Sequence, residues 1–341
     1  MLTDSRSLSC GRARLPEAPG LPAGWLRPLG GTGLTVSAVC LGGGPLGSMP
    51  ALFGYDVPED DAVALVQQVL DSPIRFIDTS NGYSDGASER RIGLAIAAAG
   101  RLPPDVLVET KVDAKDGDYS GERVRRSIEE SLERLDLDHL PVVHLHDPEF
   151  HPFEALTSPG GAVETLVALR DEGVIGHLGV AGGNVHEIRR YLDLGVFELL
   201  LTHNRWTVLD HSAGALIEAA AARGVGVLNA AVYGGGILAR PHAGLTDYGY
   251  RPASPATVAA IQSMAALAES HGTELAQVAL AWSLRDKRIA STVVGFTKPE
   301  RIEQLIAAAS LDLPTDFWAE LDSLLPAAQN WLDHVPRPEQ S

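Results

Sequence analysis

The chain has 341 residues, 45% of them hydrophobic, with 35 glycines, 22 prolines and a net charge of -17. That length builds either one large α/β barrel or two ordinary domains, and that charge argues against a nucleic-acid partner and requires a local basic site wherever an anionic ligand binds. Two cysteines, Cys10 and Cys40, supply neither a disulfide framework nor a zinc cluster, and no apolar run reaches the ~18 residues expected of a membrane span.

Residues 1–24 are rich in Pro, Gly, Arg and Ser and lack the unbroken apolar core of a secretory signal. They read as a loose tail, and residues 25–341 as a single domain of a cytoplasmic protein. Residues 25–37 carry Gly30-Gly31-Thr32-Gly33 between short apolar stretches and predict a small hairpin. A phosphate loop is the competing reading. It is disfavoured because neither Gly-Lys-Ser/Thr nor a helix-opening G-x-G-x-x-G follows.

From residue 37 onward, short apolar strands alternate with amphipathic helices. Strands are expected at 37–42, 75–79, 106–111, 141–146, 177–181, 199–204, 226–231 and 291–295. Helices are expected at 59–70, 88–99, 121–135, 162–171, 185–192, 213–223 and 298–308. Within 121–135, Val124, Ile128 and Leu132 recur at i, i+4 and i+8, which is one helical face. An extra helical pair, 255–271 and 273–285, fills the link between the seventh and eighth strands. A last helix near 315–325 is expected outside the barrel. Strands that alternate with helices pair in parallel, because parallel neighbours need a crossover. Eight such units predict an α/β fold of the (β/α)8 TIM-barrel type, with an N-terminal β-hairpin and extra C-terminal helices. Gly42-Gly43-Gly44-Pro45-Leu46 after the first strand does not fit a dinucleotide-binding fingerprint, which argues against an open doubly wound sheet.

In such a barrel the site lies at the C-terminal ends of the strands. The second strand ends in Asp78, with Tyr83 just beyond it. The third ends in Lys111 and the fourth in His146, with His144 on the same side. The fifth leads to Ala181, Gly182 and Asn184, and the sixth to His203 and Asn204. The seventh leads to Tyr233, and the eighth to Thr297, Lys298 and Arg301. Asp, Tyr, Lys and His at successive strand ends form a coherent proton-transfer device. A buried Lys111 ammonium is expected to lower the Tyr83 pKa from about 10. Asp78 holds Lys111 charged, and His146 orients a substrate oxygen. The competing reading is a structural salt bridge at the rim with a packed tyrosine and two core histidines.

The run Asp78-Thr79-Ser80-Asn81-Gly82-Tyr83, followed by Ser88-Glu89-Arg90-Arg91-Ile92-Gly93, resembles the signature of the aldo-keto reductases. Val108-Glu109-Thr110-Lys111-Val112, Leu145-His146-Asp147-Pro148, Leu178-Gly179-Val180, Thr202-His203-Asn204-Arg205 and Val293-Val294-Gly295-Phe296 recur in the family's order. The resemblance covers roughly residues 25–325. It looks most like the aldose dehydrogenase branch, which includes D-threo-aldose (L-fucose), L-galactose and pyridoxal dehydrogenases.

The resemblance implies an NAD(P)-dependent oxidoreductase acting on a small sugar or aldehyde. It makes Tyr83 the general acid/base, Lys111 and Asp78 its tuning pair, and His146 the orienting residue, with His144 as the other candidate. For the cofactor it points to Asn204 on the carboxamide and Tyr233 near the nicotinamide. Ala181 and Gly182 stand where a Ser-Asn pair is common, so that contact falls to backbone or to Asn184. Gly295, Thr297, Lys298 and Arg301 open a segment suited to phosphate. A Lys near Gly295 is usual in NADP-preferring members, and its absence leans toward NAD. Phe53, Tyr55 and Trp206 are candidates to line the substrate mouth, and Trp331 to close over it. No residue spacing predicts a metal site. Two rivals follow from the same fold. One is a non-catalytic cofactor-sensing subunit of a channel. The other is a sugar-phosphate isomerase or aldolase with Lys111 as a Schiff-base amine.

Overall fold

The computed structural model describes residues 21–50 and 54–334. The predicted tail lies outside the described residues up to residue 20, and so does Phe53.

The chain opens with an antiparallel hairpin, β1 (Leu26–Pro28) and β2 (Thr35–Ser37). The barrel strands follow as β3 (Val39–Gly42), β4 (Phe76–Asp78), β5 (Leu107–Val112), β6 (Leu140–His146), β7 (Ile175–Gly182), β8 (Leu199–His203) and β9 (Gly226–Ala230). A small hairpin, β10 (Asp247–Tyr248) and β11 (Arg251–Pro252), comes next and was not expected from sequence. The last barrel strand is β12 (Ile289–Gly295). The eight barrel strands pair in parallel in chain order, and β12 closes on β3. All eight predicted strands are present, and the sheet is closed as expected.

The helices are α1 (Glu59–Asp71), α2 (Ala87–Ala98), α3 (Gly121–Leu135), α4 (Phe153–Thr157), α5 (Ala162–Asp171), α6 (Val185–Leu192), α7 (Gly214–Ala222), α8 (Pro255–Ser270), α9 (Leu275–Arg285), α10 (Arg301–Ala308) and α11 (Thr315–Ser323). Helix α3 shows why these segments form helices. Ser120 caps it by accepting from the Arg123 N–H, Val124 and Ile128 are buried, and Asp136 ends it in the left-handed region. Helix α10 starts at Arg301 rather than at the predicted Lys298. Pro299 and Glu300 lead into it, and Glu300 takes the N-cap position. Helices α8 and α11 share a satellite core with Met264, Phe317, Trp318 and Leu321, away from the strands. Among the described residues, no helix is long and apolar enough to cross a membrane.

Alternation along each strand sorts the side chains. Val108 and Val112 face the helices, whereas Glu109 and Lys111 face the barrel axis beside inward-facing His144. The lower interior is apolar and holds Leu29, Val36, Cys40, Phe76, Val142, Leu199, Leu201 and Leu228. Leu29 and Val36 belong to the opening hairpin, so the hairpin is the plug of the N-terminal end. Gly30 makes this docking tight. Its φ is +58°, and a Cβ there would lie 2.3 Å from the Gly226 nitrogen. The Gly31 N–H donates to the Gly224 carbonyl at 2.7 Å. The glycine turn is therefore a packing device at the closed end, not a phosphate loop.

Candidate active site

The C-terminal strand ends hold the polar groups. Lys111 Nζ on β5 touches Asp78 Oδ1 on β4, donates to the Thr79 carbonyl at 2.7 Å, and lies 3.3 Å from the Tyr83 hydroxyl. Lys111 is 1% exposed. An ammonium so enclosed survives only because three oxygens replace its water. Burial works against its charge, but Asp78, Tyr83 and Glu109 more than offset this and hold its pKa above the ordinary range. Burial raises Asp78 to about 6 against the pull of Lys111, so the pair is ionised at neutral pH.

A second buried pair lies beneath. His144 Nε2 is 2.9 Å from Glu109 Oε2, and both residues are 0% exposed. Burial lifts Glu109 to about 8, and burial together with Lys111 pushes His144 down to about 3. Burial thus favours the uncharged form of both partners. His144 is spent on Glu109 and lies deeper than His146.

His146 faces the mouth. Its Nδ1 meets Asp113 Oδ1 at 2.6 Å and Ser80 Oγ at 3.2 Å. Its ring packs edge-on to Tyr83, with centroids 5.7 Å apart. Asp113 is itself held by the Gly82 N–H at 2.7 Å and by the Ser80 hydroxyl. Burial opposes the imidazolium, but Asp113 and Asp147 outweigh it and lift His146 to about 9. With Nδ1 committed to Asp113, Nε2 is left without a hydrogen-bond partner among the described residues, and Asp147 Oδ1 lies 3.9 Å from it.

Tyr83 corrects one expectation. Burial raises its pKa above the ordinary phenol value, and the pull of Lys111 only partly counters this. The Lys111 charge is already shared with Asp78 and the Thr79 carbonyl, so less of it acts on the phenol. Tyr83 also keeps an edge open at the mouth, where water moderates the shift. The resting group is a neutral phenol.

The remaining predicted residues divide. Ala181 is buried in the barrel interior. A Cβ at Gly182 would lie 2.3 Å from Glu149 Oε2 and 2.6 Å from the Ile188 side chain, so any side chain there requires both to shift. The Asn184 side chain caps α6 by accepting from the His186 and Glu187 N–H groups, so it is committed. Asn204 is buried with φ +60°, and its Oδ1 has no hydrogen-bond partner. Tyr233 and Arg301 meet in a cleft between α9 and α10, lined also by Glu274, Gln277 and Gln304. Gly295 and Lys298 are exposed and Thr297 is half-buried; all three lie in the approach to α10 or at the end of β12. Tyr55 is 44% exposed. Trp206 does not line the mouth. It turns into the helix layer against Trp282 and His211 and donates to Asp286 at 3.1 Å. Trp331 packs at a tilt against His211 in the same aromatic group, with centroids 5.9 Å apart.

Sequence reasoning missed Asp113, Glu109 and Asp333. The first two share the period of two with Lys111, which was the available signal. Asp333 forms a buried ion pair with Arg205 at 3.0 Å and also accepts from the Val185 N–H. That contact straps the C-terminal segment over the ends of β7 and β8. The expectation of no metal rested on spacing along the chain. The fold brings Asp147, Glu149 and His203 together, with ligating atoms within 4.8 Å of one another.

The closed eight-stranded barrel supplies the fold, and similarity to known proteins supplies the class: an NAD(P)-dependent oxidoreductase. The chain belongs to the Aldo/keto reductase family, which matches over residues 38–326. It is 35% identical over 317 residues to L-galactose dehydrogenase of Arabidopsis thaliana, covering 89% of this chain and 95% of that one. It is 29% identical to pyridoxal 4-dehydrogenase of Microbacterium luteolum, covering 89% and 98%. In fold it is similar to the holo form of aldo-keto reductase AKR11C1 from Bacillus halodurans, with a TM-score of 0.74 at 22% identity, covering 91% and 98%.

Proposed function

We propose that this chain is an aldose 1-dehydrogenase that oxidises C1 of a sugar hemiacetal to the lactone, with Tyr83 as general acid/base, Lys111 and Asp78 as its tuning pair and His146 as the orienting group. The observation that carries this reading is the 3.3 Å approach of Lys111 Nζ to the Tyr83 hydroxyl, with the His146 ring packed edge-on to the same Tyr83. Tyr83 is placed to take the C1 hydroxyl proton as phenolate, or to give it back to a carbonyl as phenol. The Lys111 charge steadies the phenolate while it exists. His146 Nε2–H holds the reacting oxygen in line with Tyr83. When bound, the nicotinamide accepts or supplies the hydride.

The residues present fit that cofactor. Asn204 Oδ1 is a buried acceptor without a donor, which a carboxamide N–H satisfies. Tyr233 and Arg301 offer an aromatic face and a guanidinium in the cleft between α9 and α10. Backbone at Ala181 and Gly182 and the segment Gly295, Thr297 and Lys298 complete the proposed contact. We favour NAD over NADP. Gly295 stands where a Lys is usual in NADP-preferring members, and Glu274 lines the cleft with Arg301, which disfavours a 2′-phosphate there. Tyr55 is the remaining described candidate for the substrate mouth. The 29% relative supports pyridoxal as a second substrate reading.

The test is a screen at 340 nm with both cofactors against L-galactose, L-fucose, D-arabinose and pyridoxal. Sugar-dependent reduction of NAD⁺ is expected. Turnover of pyridoxal alone would replace the first reading with the second. Cofactor binding without turnover of any sugar, aldehyde or alcohol would refute both.

A further inference from the structure

Beneath the proton-transfer groups lies a buried acid to which the proposed chemistry gives no part. Glu109 stands on β5 two residues before Lys111, so both side chains enter the barrel interior. In the sheet register Glu109 lies opposite Asp78, and Lys111 lies opposite His144. The titratable groups that face Glu109 are therefore Asp78 from β4, His144 from β6, Cys40 from β3 and Lys111 of its own strand. Glu109 Oε2 meets His144 Nε2 at 2.9 Å, whereas Oε1 is shut off from solvent with no donor. The imidazole fills the space that a side chain at Gly179 would need, since a Cβ there would lie 2.1 Å from His144 Nδ1.

Asp78 is already committed to Lys111 as its ion-pair partner. A second carboxylate beside it, without water and with one oxygen lacking a donor, meets like charge that the interior screens poorly. A proton on Oε1 removes both faults. It turns an oxygen that lacks a donor into one that supplies a donor, and the acceptor it faces is the Asp78 carboxylate. Oε2 stays an acceptor for a proton on His144 Nε2. Burial acts in the same direction, because it lifts Glu109 to about 8 and favours the neutral imidazole of His144. The Cys40 thiol, also raised by burial, adds no charge. A continuous run of contacts then joins His144, Glu109, Asp78, Lys111 and Tyr83.

We propose that Glu109 is a positioning residue that works in its protonated form, accepting from His144 on Oε2 and donating to Asp78 from Oε1. Its proton fixes the Asp78 carboxylate against Lys111 and draws off part of that carboxylate's charge. More of the Lys111 charge is then left to favour the Tyr83 phenolate. An ionised Glu109 does the reverse, since a second negative charge near Lys111 opposes the phenolate. This rests on the proposed roles of Tyr83 and Lys111, and it adds the residue that sets how strongly Lys111 acts on the phenol.

Two measurements test it. The first is the infrared difference spectrum at neutral pH between the wild type and Glu109→Gln. It should show the C=O stretch of a protonated carboxyl in the wild type. A carboxylate band in its place would overturn the inference. The second is the pH profile of sugar oxidation in the wild type, Glu109→Leu and Glu109→Gln. Leucine removes both hydrogen bonds, so it should lower kcat at least about tenfold, as the loss of buried partners does, and move the alkaline limb to higher pH. Glutamine mimics the protonated acid, with its carbonyl toward His144 and its amide N–H toward Asp78. It should restore the wild-type midpoint and recover the rate to within about threefold. A displaced limb in Glu109→Gln, or a lower rate with an unmoved limb in Glu109→Leu, would overturn the inference. If Glu109→Leu does not fold, the infrared band and the Glu109→Gln profile decide. If no sugar is oxidised, the aldose reading falls, and the infrared band alone decides whether Glu109 holds the proton.

Discussion

The two ends of the barrel are built to opposite rules. At the N-terminal end, Leu29 and Val36 of the opening hairpin seal an apolar interior with Phe76, Val142 and Leu228. There the polar backbone atoms of the plug are paired, as with the Gly31 N–H on the Gly224 carbonyl. At the C-terminal end, a buried ammonium, three imidazoles and several carboxylates crowd together. Asp147 Oδ1, Glu149 Oε2 and Asn204 Oδ1 there lack partners. The closed end contributes stability by burying apolar surface, whereas the open end gives up stability to hold groups that wait for a ligand. Substitutions at the two ends should therefore separate folding from turnover.

The largest effect is expected at the open end. Tyr83→Phe should lower turnover by at least ~10²-fold, the scale of a lost general acid/base. Its cofactor affinity and melting temperature should stay near the wild-type values, which a fluorescence titration with the cofactor and a thermal melt check in turn. A fall in stability matching the fall in rate would erase the contrast between the ends.

Asp113→Asn should have a smaller effect that depends on pH. Asp113 lifts His146 toward about 9, so its loss lowers that value. The rate of carbonyl reduction should then begin to fall at lower pH than in the wild type. The sign for stability follows from the same shift. A histidine with a raised folded-state pKa contributes stability that is full below its unfolded value of about 6.5 and is lost as pH rises through about 9. Urea titrations at several pH values should show this contribution weakened in the variant.

Leu29→Ala should have the least effect on chemistry. It should cost roughly 2–5 kcal/mol of stability by leaving a cavity in the plug, with kcat per folded molecule unchanged. Urea unfolding and active-site-normalised rates check the two halves of that statement.

The contrast also explains what the sequence revealed. Apolar runs bounded by glycine and charge marked all eight strands, because a parallel strand covered on both faces reads as a continuous apolar stretch. Asp78, Lys111 and His146 were legible because their position at a strand end sorts them to the mouth. Asp113 keeps the period of two with Lys111 but lies one residue past the end of β5, so a reading confined to the strand ends passes over it. The direction of the Tyr83 shift was not legible either. It depends on how far Asp78 and Thr79 share the Lys111 charge and on how closely the phenol is enclosed. Trp206 was misplaced because a loop residue after a strand can turn either to the mouth or to the helices, and here Trp282 and Asp286 hold it in the helix layer.

The central claim is that Tyr83 carries the proton under the influence of Lys111. The most direct measurement is the pH profile of sugar oxidation in the wild type and in Lys111→Met. Lys111 favours the phenolate, so its removal should move the rising alkaline limb to higher pH as well as lowering the rate. An alkaline limb with the same midpoint in both proteins would contradict the account.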